Sequence, residues 1–195
     1  MEQQLTPTES LRLIETMIGQ AKQSFSRISF FFLLWGFLLI AAMLATYLLR
    51  DLGPAMAQGL PWGIAGLAGG LISAVRGASL GRKEVVSNPM DGIVGAVWAA
   101  FVITLLLTIV GGATKGMDPG PGITILTGLP TFLTGRIMRF RPLVLGGVLF
   151  WAIGTAMFFV QDRAVLCVLY CCAMLFGYIV PGAMLKRQED GLRPA

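Results

Sequence analysis

TGLPTFLTGRIMRFRP, residues Thr127–Pro142, is an apolar stretch that ends in a cluster of arginines. Arg136, Arg139 and Arg141 lie close together, and a second apolar segment, Leu143–Val160, follows at once. Lysine and arginine concentrate at the cytoplasmic ends of membrane helices. The cluster therefore predicts a tight cytoplasmic turn between two membrane spans, from which the other spans can be counted.

The composition of the whole chain favours a membrane protein. Of its 195 residues, 55% are hydrophobic and 13% are charged, and the mean hydropathy is +0.76. A soluble domain of this length could not bury so much apolar surface. The net charge of +5 is interpreted as a topology signal, and no nucleic-acid partner is predicted. Because the chain has no histidine, it lacks the commonest general base and metal ligand, so neither an enzyme nor a cofactor is expected.

Six apolar segments predict an all-α bundle of six transmembrane helices, because a bilayer core needs about 20 apolar residues per helix. The segments are Ile28–Leu49, Leu60–Val75, Asp91–Gly111, Gly120–Gly135, Leu143–Val160 and Ala164–Leu185. The second and fourth are short and rich in Gly, Pro and Thr, so hydropathy alone supports them weakly. The predicted organisation is an amphipathic helix in residues 1–27, a membrane domain in 28–186 and a cytoplasmic tail in 187–195.

The distribution of basic residues supports six spans with both termini in the cytoplasm. This topology places twelve of the 15 basic residues inside and leaves only Arg50, Lys115 and Arg163 outside. Removing one span would place basic clusters on both faces, against the positive-inside rule. The chain is therefore expected to be a multi-pass membrane protein.

Residues Thr6–Arg27 are predicted to form an amphipathic helix on the inner leaflet. Thr6, Pro7 and Glu9 fit an N-cap, a first helical position and a capping box. The apolar residues share one helical stripe: Leu11, Ile14, Ile18, Ala21 and Phe25. Anionic lipid headgroups are the expected partners of Lys22 and Arg27. A short dimerising coiled coil and a dock for a partner protein remain alternatives.

A weak internal repeat suggests three parallel helical hairpins. Each odd span carries one tryptophan and each even span ends at a basic residue, in the pairs Trp35 and Arg76, Trp98 and Arg136, and Trp151 and Lys186. Three hairpins in one orientation would be related by an axis along the membrane normal. Chance similarity in such a biased composition is the alternative.

The even spans share residues that interrupt helices, and these are the candidate site residues. They are Gly66, Gly70, Gly128, Pro130, Gly177 and Pro181. Unwound backbone in a membrane can offer carbonyl groups to a ligand, so these positions could line a binding cavity. Small residues also let helix backbones pack closely, and that alternative stays open.

Two further groups are interpreted as structural. Asn88, Pro89 and Asp91 fit a helix cap better than a proton-coupling site. Cys167, Cys171 and Met174 share one helix face that could hold Cu(I), but such residues in apolar helices mostly serve packing. No metal site and no catalytic set are predicted.

Three stretches carry a resemblance to a protein family. They are ESLRLIETMIGQAKQSFS followed by LLWG, then LTGRIMRFRPLVLGGVLFW, and finally FGYIVPGAMLKRQ. Together they resemble short inner-membrane proteins of Bacteroidetes-type bacteria, a family without an assigned activity. The resemblance implies six spans and an inner-membrane location, and it transfers no functional residue.

The sequence leaves two hypotheses for function. The first is non-enzymatic binding or transport of a small apolar or amphiphilic ligand. The second is a scaffolding or interaction subunit of a membrane complex, in which glycine-rich faces dock partner helices or a further copy of the chain. A cavity lined by the even spans would favour the first, and filled helix interfaces would favour the second.

Topology can be tested with reporter fusions. Fusions at Asp51, Lys115 and Asp162 should report an external location, and fusions within residues 136–141 should report the cytoplasm, because of the charge distribution. A cytoplasmic signal at Lys115 would exclude the six-span topology.

Overall fold

A computed structural model of the protein describes residues 28–51, 53, 55–81 and 89–191, and these form helices joined by short turns. The helices are α1 (Ile28–Leu49), α2 (Ala55–Gly81), α3 (Pro89–Lys115), α4 (Gly120–Ile137), α5 (Arg141–Met157) and α6 (Arg163–Gly191). The all-α prediction is thereby confirmed for the described residues. The predicted N-terminal helix, Thr6–Arg27, lies outside them.

Three of the helices are long and apolar enough to cross a membrane, within the part of the chain that the structure describes. They are α1, the segment Gly92–Thr114 of α3, and α6. Helix α5 is apolar but shorter, with 17 residues. Helices α2 and α4, whose weak hydropathy the sequence analysis anticipated, are not among the three. Six helices are therefore observed, while six membrane spans stay a prediction.

The helices pack in an order that differs from their order along the chain. Helix α1 packs between α2 and α6, α6 also packs on α5, α5 packs on α4, and α3 packs mainly on α4. Aromatic rings join three of these layers, because Tyr178 contacts both Phe32 and Phe150 edge to face. Consequently α1, α4, α5 and α6 form the centre of the bundle, and α2 and α3 lie at its margins.

The α4–α5 hairpin is held together by glycines on both helices. A Cβ built on Gly147 would lie 2.6 Å from Cβ and 2.7 Å from the backbone nitrogen of Phe132. A Cβ on Gly128 would lie 2.8 Å from the carbonyl oxygen of Gly147, and one on Gly154 would lie 2.9 Å from the nitrogen of Ile125. Real Cβ contacts are longer than these, so only glycine permits the observed approach of the two backbones.

The turn between α4 and α5 is as tight as the sequence predicted. Helix α4 ends at Ile137 and α5 begins at Arg141. The chain reverses at Arg139, whose φ of 52° lies in the left-handed region that favours glycine. The turn is thus confirmed, whereas its cytoplasmic location stays a prediction.

Helix α6 contains a π-helical turn, Leu175–Ile179, which includes Gly177 and precedes Pro181. Proline has no N–H group and its ring crowds the carbonyl four residues earlier, which here belongs to Gly177. A wider turn is a known way to accommodate such an interruption. The π turn also places Tyr178, which is buried, between the rings of α1 and α5.

We expect Gly147→Ala to destabilise the fold by about 1–3 kcal/mol, because the added methyl group must displace the backbone of α4. The matched control is Gly122→Ala, since a Cβ there has nothing within 4 Å. Equilibrium unfolding in detergent would measure both variants. Equal stability of the two variants would contradict the proposed role of Gly147.

Candidate functional site

The candidate glycines and prolines of α4 and α6 lie in packed helix interfaces. Gly128 lies under the Trp151 indole, and Pro130 is fully buried. A Cβ on Gly177 would lie 2.4 Å from the Phe150 ring, and a Cβ on Gly146 would lie 2.7 Å from the Gly177 carbonyl oxygen. Pro181 has no N–H to donate to the Gly177 carbonyl, and this carbonyl faces the backbone of α5. At these positions, the neighbouring helix occupies the space that a ligand would need.

Gly66 and Gly70 are placed differently, on a face of α2 that no described residue covers. A Cβ built on either would have nothing within 4 Å. The same holds for Gly59, Gly63 and Gly77, and Ala74 on this face is also exposed. The spacing of these residues is three or four, so they form one stripe along the helix. From Gly59 to Gly77 the stripe runs about 27 Å at 1.5 Å per residue.

A row of large apolar side chains lies beside this stripe on α2. Its members are all exposed, and each follows a residue of the stripe by one position: Leu60, Ile64, Leu67, Leu71 and Val75. The opposite face of α2 packs on α1, where Gly69 contacts Trp35 and the Trp35 indole donates a hydrogen bond to Ser73 at 3.2 Å. Helix α2 therefore presents a glycine groove and an apolar ridge on the side away from the bundle.

The arginine turn encloses a cavity of about 330 Å³. Gly135, Arg136, Arg139, Arg141 and Val144 line it, so the end of α4, the turn and the first turn of α5 all contribute. A Cβ built on Gly135 would lie 2.6 Å from the Val144 nitrogen, which shows how closely the two helices meet at the wall of this cavity. The arginine cluster that located the turn in the sequence thus also forms a basic pocket.

The predicted hairpin repeat has a partial counterpart in the structure. The Trp35 indole donates to Ser73 on α2, and the Trp98 indole donates to Thr134 on α4 at 3.1 Å. Each hydroxyl lies within one helical turn before the basic residue of its hairpin. Trp151 departs from this pattern, because it lies against Gly128 of the preceding helix. The repeat remains a prediction.

Three threonine hydroxyl groups inside α4 are satisfied within that helix. Thr124, Thr127 and Thr131 each donate to the carbonyl four residues earlier, at 2.8–2.9 Å. These threonines are buried. They are therefore structural groups, since each hydroxyl proton is already bonded to the backbone.

Two acidic residues in the predicted outer loops, Asp118 and Asp162, lie at helix starts. The Asp162 carboxylate accepts hydrogen bonds from the nitrogens of Ala164 and Val165, and Asp118 accepts one from Gly120. Arg50 pairs with Asp51 at 3.1 Å, and this hydrogen bond raises the pKa of the Arg50 guanidinium. Helix α3 begins at Pro89, where the cap hypothesis puts the first helical residue. The side chains of Asn88 and Asp91 lie outside the described residues.

The cysteines show no arrangement typical of a metal site. All three are free thiols, with Cys167 buried and Cys171 and Cys172 half-buried. Among the described residues, no group of three or more Cys, Asp and Glu side chains could hold a metal ion. The Cys167, Cys171 and Met174 stripe therefore acquires no further support as a copper site.

A buried polar pair joins the start of α1 to the end of α6, and it was not predicted from the sequence. The Ser29 hydroxyl donates to the Glu189 carboxylate at 2.5 Å, and both residues are buried. Residues 187–195 were predicted to be a tail, but α6 continues to Gly191. The spacing of Pro181, Leu185 and Glu189 by four residues is typical of one helix face, and all three are buried. This spacing indicates that the helix continues beyond Lys186.

No family model matches the chain, and no curated protein and no solved structure is significantly similar to it. The resemblance to short Bacteroidetes-type membrane proteins therefore stays an interpretation of the sequence. Any function must be argued from the surfaces of the helices themselves.

Ser29→Ala should destabilise the fold by about 1–3 kcal/mol, because it removes a buried hydrogen bond to the charged Glu189 carboxylate. Ser79→Ala is the control, since Ser79 is exposed and bonds to its own helix at Arg76. Thermal unfolding in detergent would compare them. A Ser29→Ala protein as stable as the Ser79→Ala protein would show that the pair contributes little.

Proposed function

We propose that this chain is a non-enzymatic interaction subunit of a bacterial inner membrane, which docks a second copy of itself through the outer face of α2. The observation that supports this proposal is a contrast between two sets of glycines. Most glycines of α4 and α5 are covered by a neighbouring helix, whereas no described residue covers five glycines of α2, namely Gly59, Gly63, Gly66, Gly70 and Gly77. Helix association in lipid depends on close packing at small residues, so an uncovered glycine groove is a surface suited to another helix.

The second copy is favoured because the groove and the ridge of α2 are complementary to each other. In a two-fold dimer, a surface of one copy contacts the same surface of the other copy. The ridge around Leu67, which is 79% exposed, can then lie in the glycine groove of the other copy, while the groove around Gly66 receives the other ridge. Ridges packed into grooves are the ordinary geometry of helix pairs.

The proposed topology has six spans with both termini in the cytoplasm. The positive-inside distribution supports it, with twelve basic residues inside and three outside. The glycine-rich helices α2 and α4 would cross the membrane with part of their surface covered by other helices, which relaxes the need for apolar side chains facing lipid. Under this proposal the α2 groove becomes covered only on dimerisation.

Binding or transport of a small apolar or amphiphilic ligand remains the second hypothesis. The described positions that would have lined its cavity on α4 and α6 are occupied by neighbouring side chains and backbone. The arginine pocket is the described cavity with which this hypothesis can be pursued.

Leucine substitutions in the groove test the dimer. We expect Gly66→Leu and Gly70→Leu to convert the extracted protein from two copies to one, because a large side chain fills the groove. The control is Ala99→Leu, which adds a similar volume at an exposed position of α3. Native mass spectrometry after gentle extraction measures copy number and retained ligand together.

Four outcomes separate the hypotheses. Loss of the dimer only in the two groove variants supports the proposal. A monomeric wild-type protein contradicts it, and a dimer that survives both substitutions places the interface elsewhere. A monomer that retains a small molecule would favour the ligand-binding hypothesis instead.

A further inference from the structure

The basic pocket at the α4–α5 turn has two sources of positive potential and one unusual backbone feature. The first source is the set of Arg136, Arg139 and Arg141, which all line the same cavity. Within the described part of the chain, the side chain of none of the three takes part in an ion pair or a hydrogen bond. Among the described residues that line the pocket, none is acidic. These charges are therefore available to an anion from outside the bundle.

The second source is the start of helix α5. Its N-cap residue is Phe140, and no side chain caps the first turn. The N–H groups at a helix start carry partial positive charge and form a common binding site for phosphate groups. Arg141 and Val144, from this first turn, line the cavity. Because Pro142 has no N–H and the Val144 nitrogen donates to the Phe140 oxygen, the helix start adds only a small contribution to that of the arginines.

The unusual backbone feature is the conformation of Arg139. Its φ of 52° would be adopted more easily by glycine, and a non-glycine residue there costs about 1–2 kcal/mol. Backbone outliers of this kind are more frequent at functional sites than elsewhere. Here the unusual conformation coincides with a long cationic side chain that lines the pocket.

The lining also limits the class of ligand. Guanidinium groups bind phosphate through paired N–H donors, and several of them together suit an anion with several oxygens. A cavity of about 330 Å³ exceeds the space that a bare ion needs and lies in the range of small-molecule sites. Gly135 and Val144 add an apolar wall beside the charges. A phosphate ester matches both the arginines and the apolar wall, because it has a charged phosphate group and an organic group.

We propose that the cavity between Gly135 and Val144 binds the phosphate group of a phosphate ester through Arg136, Arg139 and Arg141. Two sources share this chemistry, namely the headgroup of an anionic phospholipid and a soluble phosphate compound. The lipid source agrees with the position of the turn at the end of two apolar helices, where a basic pocket would meet headgroups. The proposal does not depend on the dimer, since every lining residue belongs to one copy.

The experiment uses the full chain purified in a neutral detergent. Titration with phosphatidylglycerol, with phosphatidylcholine and with inorganic phosphate, followed by native mass spectrometry, separates the two sources. Arg139→Gln removes one cation, and Arg139→Lys keeps the charge but removes the paired donors. Arg187→Gln is the matched control, because Arg187 is exposed and lies on the same predicted side of the membrane.

We expect phosphatidylglycerol to bind more tightly than phosphatidylcholine, and Arg139→Gln to weaken this binding about tenfold or more. Arg139→Lys should weaken it less than Arg139→Gln, and Arg187→Gln should leave it unchanged. Saturable binding of inorganic phosphate with the same dependence on Arg139 would support the soluble source of the same chemistry.

Two results would overturn the proposal. One is equal loss of binding in Arg139→Gln and Arg187→Gln, which would reflect only the overall positive charge of the protein. The other is the absence of selective binding of either the anionic lipid or inorganic phosphate by the wild-type chain. Arg136→Gln and Arg141→Gln repeat the test at the other two cations and guard against a local effect of Arg139 on the turn.

Discussion

Helices α4 and α5 approach so closely that a methyl group cannot be placed between them, and the rest of the bundle depends on this approach. Lipid removes most of the hydrophobic driving force between membrane helices, so contact between backbones must supply the stability. The glycines at 128, 135, 147 and 154 permit that contact. Because α5 is fixed against α4, Phe150 can pack on Gly177, and α6 and α1 assemble around Tyr178.

The need for close backbone contact at glycines also explains why the glycines of α2 point to a docking surface. Most glycines of the α4–α5 hairpin are covered by a neighbouring helix, whereas at five glycines of α2 no described residue lies within 4 Å of the place where a Cβ would be. Glycine weakens an isolated helix by about 1 kcal/mol relative to alanine. A row of uncovered glycines is therefore costly unless another helix packs on it. We propose that the helix packed on these glycines belongs to a second copy of the chain.

The sequence predicted the helices well because apolar length, glycine, proline and arginine are local signals. Helix α1 has the predicted bounds Ile28–Leu49, and the turn at Arg139 lies where the arginine cluster placed it. The order of packing could not be predicted, since it depends on which glycine faces which neighbour. Gly66 and Gly128 have similar sequence surroundings, yet one is open and the other lies under Trp151. The Ser29–Glu189 pair was missed because its members are far apart in the chain.

The most direct test of the central claim is the distance between the α2 helices of two copies in a lipid bilayer. A spin label at Ser79, in a chain whose cysteines are replaced by alanine, reports this distance by dipolar EPR. We predict a short and narrow distance distribution, as expected for helix axes about 8–10 Å apart. A label at Ala113 of α3 should give a longer distance. The account would be contradicted if the Ser79 labels showed no defined distance, or if the Ala113 labels were the closer pair.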